Sequence, residues 1–152
     1  MAWEALNDLY REVILDHYKN PRHHEKIEPH DVEQEGFNPL CGDQLTLQLK
    51  INSGKIENVG CWGKGCSISQ ASASILTECI YGKALEEVLS EASFFKEVMQ
   101  GKSKIEEKDV GDLEALSGVQ KFPVRIKCAL LAWTTLEEAL RFYEKTHVSS
   151  LK

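Results

Sequence analysis

Three thiols and one carboxylate sit where turns or helix starts would hold them. They are Cys41 and Asp43 in Cys41-Gly42-Asp43, Cys66 after Gly63-Lys64-Gly65, and Cys128 in Pro123-Val124-Arg125-Ile126-Lys127-Cys128. A thiolate is both a nucleophile and a soft metal ligand. Three thiolates with one carboxylate suit tetrahedral zinc, a borderline-soft ion that accepts sulfur and oxygen. Structural zinc sites usually pair cysteines at short spacing and use nitrogen or sulfur. Here the spacings are long and one candidate ligand is an oxygen, which reads as a site built to exchange a ligand. The chain has five cysteines, an odd number at scattered positions, so a disulfide framework is a poor reading. Cys61, inside an expected strand, and Cys79, on the stripe of Ile75, Leu76 and Ile80, read as small packing residues. Asp43 taken alone would also serve as an Asx-turn residue. His23-His24 beside Arg22 read as solvated loop, and Trp62, Trp133 and Phe94-Phe95 as core.

The elements that must position these groups follow from periodicity. Leu6, Leu9, Val13, Ile14 and Tyr18 repeat at helical spacing from Ala5 to Lys19, and Asn20-Pro21 ends that helix. His23 to Leu40 is a polar connection with a short strand at Val32 to Phe37. From Gln44 to Ile51 apolar and polar residues alternate strictly; Asn52-Ser53-Gly54-Lys55 reads as a hairpin turn, and Ile56 to Trp62 as the returning strand. The hairpin brings the start of one strand beside the end of the next, so Cys41 and Cys66 meet at one sheet edge. A helix from Ser67 to Tyr81 is closed by Gly82, and its small first half lets another element pack close. One or two helices span Ala84 to Gln100. Gly101 to Lys121 is polar, with a short helix at Leu113 to Leu116. The last helix opens at Pro123, runs to Lys145 and buries Ile126, Leu130, Leu131, Trp133 and Leu140, with a frayed tail after Thr146. Cys128 reaches the thiol edge if that helix packs over the sheet. The fold class is α+β: a small three-stranded antiparallel sheet covered by about five or six helices, in a single domain spanning residues 1–152.

At 152 residues, folding buries about 70% of the unfolded chain's surface, so the core needs no metal staple. The net charge of -6, with no basic run, argues against nucleic acid or an anionic membrane as partner. No stretch approaches the ~20 apolar residues of a spanning helix, and Met1 to Leu15 lacks the layout of a secretory signal, so the expected location is cytoplasmic.

At its motifs the sequence resembles the IscU/NifU-N family of iron–sulfur assembly proteins, and within it the SufU branch. The likeness rests on Asn38-Pro39-Leu40-Cys41-Gly42-Asp43, on Gly65-Cys66-Ser67-Ile68-Ser69 with Ala71-Ser72-Ala73-Ser74, and on Phe122-Pro123-Val124-Arg125-Ile126-Lys127-Cys128. Leu9-Tyr10 through Asn20-Pro21-Arg22 resembles the family's first helix. Two departures separate the chain from the housekeeping IscU pattern. Lys127 stands where those proteins carry histidine, and Gln120-Lys121-Phe122-Pro123-Val124-Arg125 replaces their chaperone-docking Leu-Pro-Pro-Val-Lys. Gly101 to Lys121 resembles the SufU insertion. The resemblance implies zinc on Cys41, Asp43, Cys66 and Cys128, and Cys41 as the catalytic thiol that accepts persulfide sulfur. The implied donor is a PLP-dependent cysteine desulfurase (SufS-like), whose histidine enters the zinc shell in place of Cys41. Downstream Fe–S assembly proteins are the implied further partners. The alternative is a scaffold whose same ligands assemble a transient [2Fe–2S] cluster and hand it to acceptors. Arg125 and Lys127 read either as basic residues that offset the anionic ligands or as solvated positions on an amphipathic helix.

Overall fold

The structure, a computed structural model, describes residues 7–150, with side chains described to Thr146. The element order is α1 (Asp8–Lys19), β1 (Val32–Asn38), β2 (Asp43–Asn52), β3 (Lys55–Lys64), α2 (Ser67–Ile80), α3 (Leu85–Met99), α4 (Leu113–Leu116) and α5 (Pro123–Ser150), with two short 3-10 turns flanking α4. Ala5 and Leu6, expected in the first helix, lie outside the described residues. Asn7 starts α1 by accepting the Leu9 N–H on its side-chain oxygen at 2.8 Å. The last helix continues to Ser150, past the expected end at Lys145 and through the tail expected to fray.

The three strands form one antiparallel sheet in the order β1-β2-β3. Strict alternation turns Leu45, Leu47, Leu49 and Ile51 of β2 to the inside, with Val59 and Cys61 of β3 opposite Leu49 and Leu47. Each such side chain contributes about 1.5–3 kcal/mol by leaving water. Period two also fixes what sits outside. Because Cys61 faces the core, its neighbour Trp62 cannot; it lies half-exposed on the outer face, with Lys26 Nζ 5.9 Å from its ring centre. The expected core position of Trp62 is thus corrected by the parity of its own strand.

Helices α2 and α5 cover the inner face. The run Ala71-Ser72-Ala73-Ser74 is buried, and its small side chains let α5 come close enough for Ser72 Oγ to donate to the Ala129 carbonyl at 2.6 Å. On the sheet side, Gly36 of β1 meets Thr135 and Leu131 of α5, and a Cβ at position 36 would overlap Thr135 Oγ1. Trp133 packs on Phe95 with ring centres 5.3 Å apart, and both are fully buried. The core row of α5 is Cys128, Ala129, Ala132, Trp133, Leu136, Ala139 and Leu140. Ile126, Leu130 and Leu131, expected to be buried, lie beside that row and are half-exposed. Leu9 and Tyr18 of α1 are exposed as well. The inward residues of that helix are Ile14 and His17, and His17 is held by polar contacts rather than apolar ones.

Among the described residues, Trp133 Nε1 is the one buried side-chain nitrogen or oxygen without a hydrogen-bond partner. Trp133→Ala is therefore expected to cost about 3–5 kcal/mol through the cavity it leaves. Trp133→Phe keeps most of the packing and removes an orphan donor whose burial costs about 1–3 kcal/mol, so its net cost should be far smaller. Urea melts of the two variants test this. No helix among the described residues is long and apolar enough to cross a membrane.

Candidate metal centre

The register of the sheet builds the site. Asn38, the last residue of β1, pairs with Asp43, the first of β2, and the turn between them carries Cys41. Next along β2, Gln44 pairs with Lys64 at the end of β3, so the chain leaves the sheet beside that turn and enters α2 at Cys66. Helix α5 lies over the same corner and brings Cys128 to it at 0% exposure.

Cys41 Sγ and Cys128 Sγ are 3.1 Å apart as free thiols. Those two sulfurs and one oxygen of Asp43 all lie within 4.8 Å of one another. Cys66 stands outside this set. Its Sγ accepts the Ser69 N–H at 3.4 Å as the cap of α2, while its own backbone N–H donates to Asp43 Oδ1 at 2.9 Å. Of the four expected site residues, three are thus gathered, and the fourth touches the cluster through Asp43.

Asp43 is fully enclosed. Ser69 Oγ donates to Oδ1 at 3.1 Å and Asn38 Nδ2 to Oδ2 at 3.4 Å. Burial pushes this carboxyl up, but the Cys66 N–H and the side-chain donors Cys128, Ser69 and Cys66 outweigh it, and the pKa lies below the ordinary carboxylate value. Asp43 is therefore ionised at neutral pH. The stability it contributes is present above the unfolded pKa and lost as pH falls through the lowered folded one. Cys128 moves the other way. Burial first, then the hydrogen bonds it makes to Cys41 and Asp43, hold its thiol well above the usual range. A buried carboxylate beside two closely packed thiols is a donor set whose charge a divalent ion would balance.

The donor chemistry fits zinc: two soft sulfurs and one oxygen converge, with a third sulfur at the next position. Cys41, Cys128 and Asp43 would hold such an ion, with Cys66 the further sulfur beside them. Arg125 is the nearest cation, its Nη1 3.7 Å from Cys41 Sγ, while Lys127 is exposed. Gly65, at φ 151°, is packed against the site, and a Cβ there would overlap Asp43 Oδ1 and crowd Ser69 Oγ.

The profile of the NifU-like N-terminal domain matches residues 9–129. The chain belongs to that family. Among its relatives, the zinc-dependent sulfurtransferase SufU of Bacillus subtilis (strain 168) is 47% identical over 141 residues, covering 92% of this chain and 95% of that one. The iron–sulfur cluster assembly scaffold protein IscU of Streptococcus pyogenes serotype M1 is 44% identical over 141 residues, covering 93% and 88%. The crystal structure of FiSufU from the thermophile Fervidobacterium islandicum AW-1 superposes with a TM-score of 0.80 at 40% identity, covering 85% of this chain and 94% of that one.

Sequence reasoning did not single out Asn38 or Ser69, which orient Asp43. Both lay inside the quoted motifs, and a short polar residue beside a buried carboxylate was the available signal. The packing readings of Cys61 and Cys79 agree with the structure. Cys61 is in the core at 3% exposure, with burial pushing its thiol up to about 12, and Cys79 packs against the core under the same effect. His23 stacks on Tyr81 at 5.1 Å.

Proposed function

We propose that this protein is a zinc-dependent sulfur acceptor for iron–sulfur cluster assembly, taking persulfide sulfur on Cys41 from a PLP-dependent cysteine desulfurase. The observation that carries this reading is the asymmetry of the thiol pair. Cys128 is sealed at 0% exposure, whereas Cys41, 3.1 Å away, is partly exposed in a turn with Arg125 against its sulfur. One thiol is fit to hold and the other to meet a partner. Zinc, bound by Cys41, Asp43, Cys128 and Cys66, would keep thiols deprotonated at neutral pH. Cys66 would join this set by giving up its weak cap on Ser69.

The remaining chemistry belongs to the chain. The Cys41 thiolate attacks the outer sulfur of the desulfurase persulfide, a new S–S bond forms on Cys41, and the desulfurase thiolate leaves with the electron pair of the broken bond. No net oxidation accompanies the transfer. Arg125 holds negative charge at Cys41 before and after the step, and Asp43, fixed by Asn38, Ser69 and the Cys66 amide, keeps the turn in register. The 47% likeness to a protein named zinc-dependent sulfurtransferase supports this assignment. Lys127 beside Cys128 supports it over the scaffold reading, since a protonated lysine cannot ligate a metal. The 44% likeness to a protein named assembly scaffold favours the second reading, a transient [2Fe–2S] cluster on the same residues.

Mixing the zinc-loaded protein with the desulfurase, cysteine and a reductant separates the two. A sulfur acceptor accelerates multiple-turnover sulfide release and carries a persulfide on Cys41 by mass spectrometry. An unchanged rate rules that function out. A scaffold instead yields an isolable cluster that converts an apo-ferredoxin, and its Asp43→Ala variant holds that cluster longer. Removing zinc with a chelator should abolish the acceleration yet leave the far-UV CD spectrum folded. The core cluster, from Ile14 through Leu140, takes one residue from the site, Cys128, with Cys41 and Cys66 packed at its edge, and the rest of it is apolar packing that needs no ion.

A further inference from the structure

A second convergence of ligand atoms lies away from the thiols. His17 on α1, Glu78 on α2 and Asp112 just before α4 each bring one ligand atom within 4.8 Å of the others. The His17 ring is fully buried. Its Nε2 faces the two carboxylates, 2.8 Å from Asp112 Oδ2 and 3.7 Å from Glu78 Oε1. Behind the ring, Nδ1 lies 2.7 Å from Ser74 Oγ, which also accepts the Arg22 backbone N–H at 2.9 Å.

We propose that His17, Glu78 and Asp112 form a binding site for a second divalent transition-metal ion, distinct from the thiol cluster. Three arguments carry it. One imidazole nitrogen and two carboxylate oxygens are the donor types that zinc, manganese and ferrous iron accept, and two carboxylates neutralise one divalent ion while the ring stays neutral. The ring is already oriented as metal-bound histidines are: with a cation on Nε2 its proton sits on Nδ1 and donates to Ser74 Oγ, an outer partner fixed by the backbone. The surroundings also favour a cation. Glu78 and Asp112 line a cavity of about 360 Å³ together with Glu91, Asp109 and Lys83. Lys83 is taken by Glu91 at 2.8 Å, and Arg22, which reaches Glu78 at 3.8 Å, is held more tightly by Asp16 at 2.6 Å. The carboxylates at the cavity mouth therefore outnumber the cations that could balance them. Glu78 and Asp112 are each about half-exposed, so an ion and its remaining waters have an entry path.

The site is independent of the first. Ser74 and Glu78 lie two to three turns down α2 from Cys66, about 12–18 Å along the axis. A bound ion would tie α1 and α2 to the polar segment that leads into α4, three elements otherwise joined here by hydrogen bonds through His17.

The test titrates the protein, its thiol cluster first filled with one equivalent of zinc, with Co²⁺. Calorimetry and absorption should show a second equivalent. Its weak d–d bands should lack sulfur-to-cobalt charge transfer, because no thiolate is present. Asp112→Asn and Glu78→Gln change only half-exposed carboxylates and should each weaken the second equivalent by at least about tenfold, leaving the first in place. The proposal fails if the wild-type chain takes up one equivalent only. It fails equally if the Asp112→Asn/Glu78→Gln double variant, shown folded by its CD melt, binds the second ion as tightly as wild type. A lowered melting temperature in that variant without lost cobalt binding would mean a hydrogen-bonded latch and no metal site.

Discussion

Cys41→Ser is expected to return sulfide release to the rate of the desulfurase alone, a loss of about a hundredfold or more in the acceleration due to this protein. The expectation follows from what is exposed. Cys128, the sulfur paired with Cys41, has no surface through which a partner could reach it, and the partly exposed Cys66 is engaged on the Ser69 N–H as the cap of α2, so neither substitutes as acceptor. Serine fills the same space but its hydroxyl is far less acidic and less nucleophilic than a thiol. The variant should keep its fold, because Cys41 lies in a turn at the edge of the core. Mass spectrometry of the trapped protein makes the check direct: a persulfide mass on wild type and none on the variant. A Cys41→Ser protein that still carries sulfane sulfur would move the acceptor elsewhere. Arg125→Ala should show a smaller version of the same loss, expressed as slower transfer at unchanged zinc content.

Gly65→Ala is expected to disable the site without touching a ligand. The residue has φ 151°, where a side chain is strained, and its Cβ would push into Asp43 Oδ1 and Ser69 Oγ. Asp43 is enclosed and pinned by three donors, so it cannot retreat without losing the hydrogen bonds that hold it ionised. The expected cost is roughly 1–3 kcal/mol of stability from the backbone and about 10–100-fold in zinc affinity from the displaced carboxylate. Gly42→Ala is the control. Gly42 is also left-handed, at φ 70°, but nothing lies within reach of its Cβ, so only the backbone penalty should appear. Competition with a zinc chelator, run on both variants, separates the two effects. Equal affinities would show that Asp43 is not held by the space at position 65.

The sheet was legible because its signals are local. Gln44 to Ile51 alternates without a break, and the strand built from it extends that run by one residue at each end. Cys41 and Cys66 could be brought to one edge from hairpin geometry alone. Three things were not legible, each for a reason of distance or parity. The Cys61-Trp62 pair cannot both be core in a strand, yet both residue types suit a core, and only the register decides between them. Whether Cys128 reaches the other thiols depends on how closely α5 approaches the sheet. That is set by Gly36 against Thr135, residues far apart in sequence that carry no chemical signal. His17 lay within a helix read only for its apolar stripe, and its partners Ser74, Glu78 and Asp112 come from two other elements.

Helix α5 is gripped from two sides, by Ser72 on the Ala129 carbonyl, next in the chain to Cys128, and by Gly36 against Thr135, about two turns further on. It behaves like a bolt seated between two stops, and the position of one sulfur is the tip of that bolt. Tolerances at the tip are therefore set by a collar just behind it and by a second stop further down the shaft. A methyl group added at either stop would misalign the reactive corner while leaving every reactive atom intact.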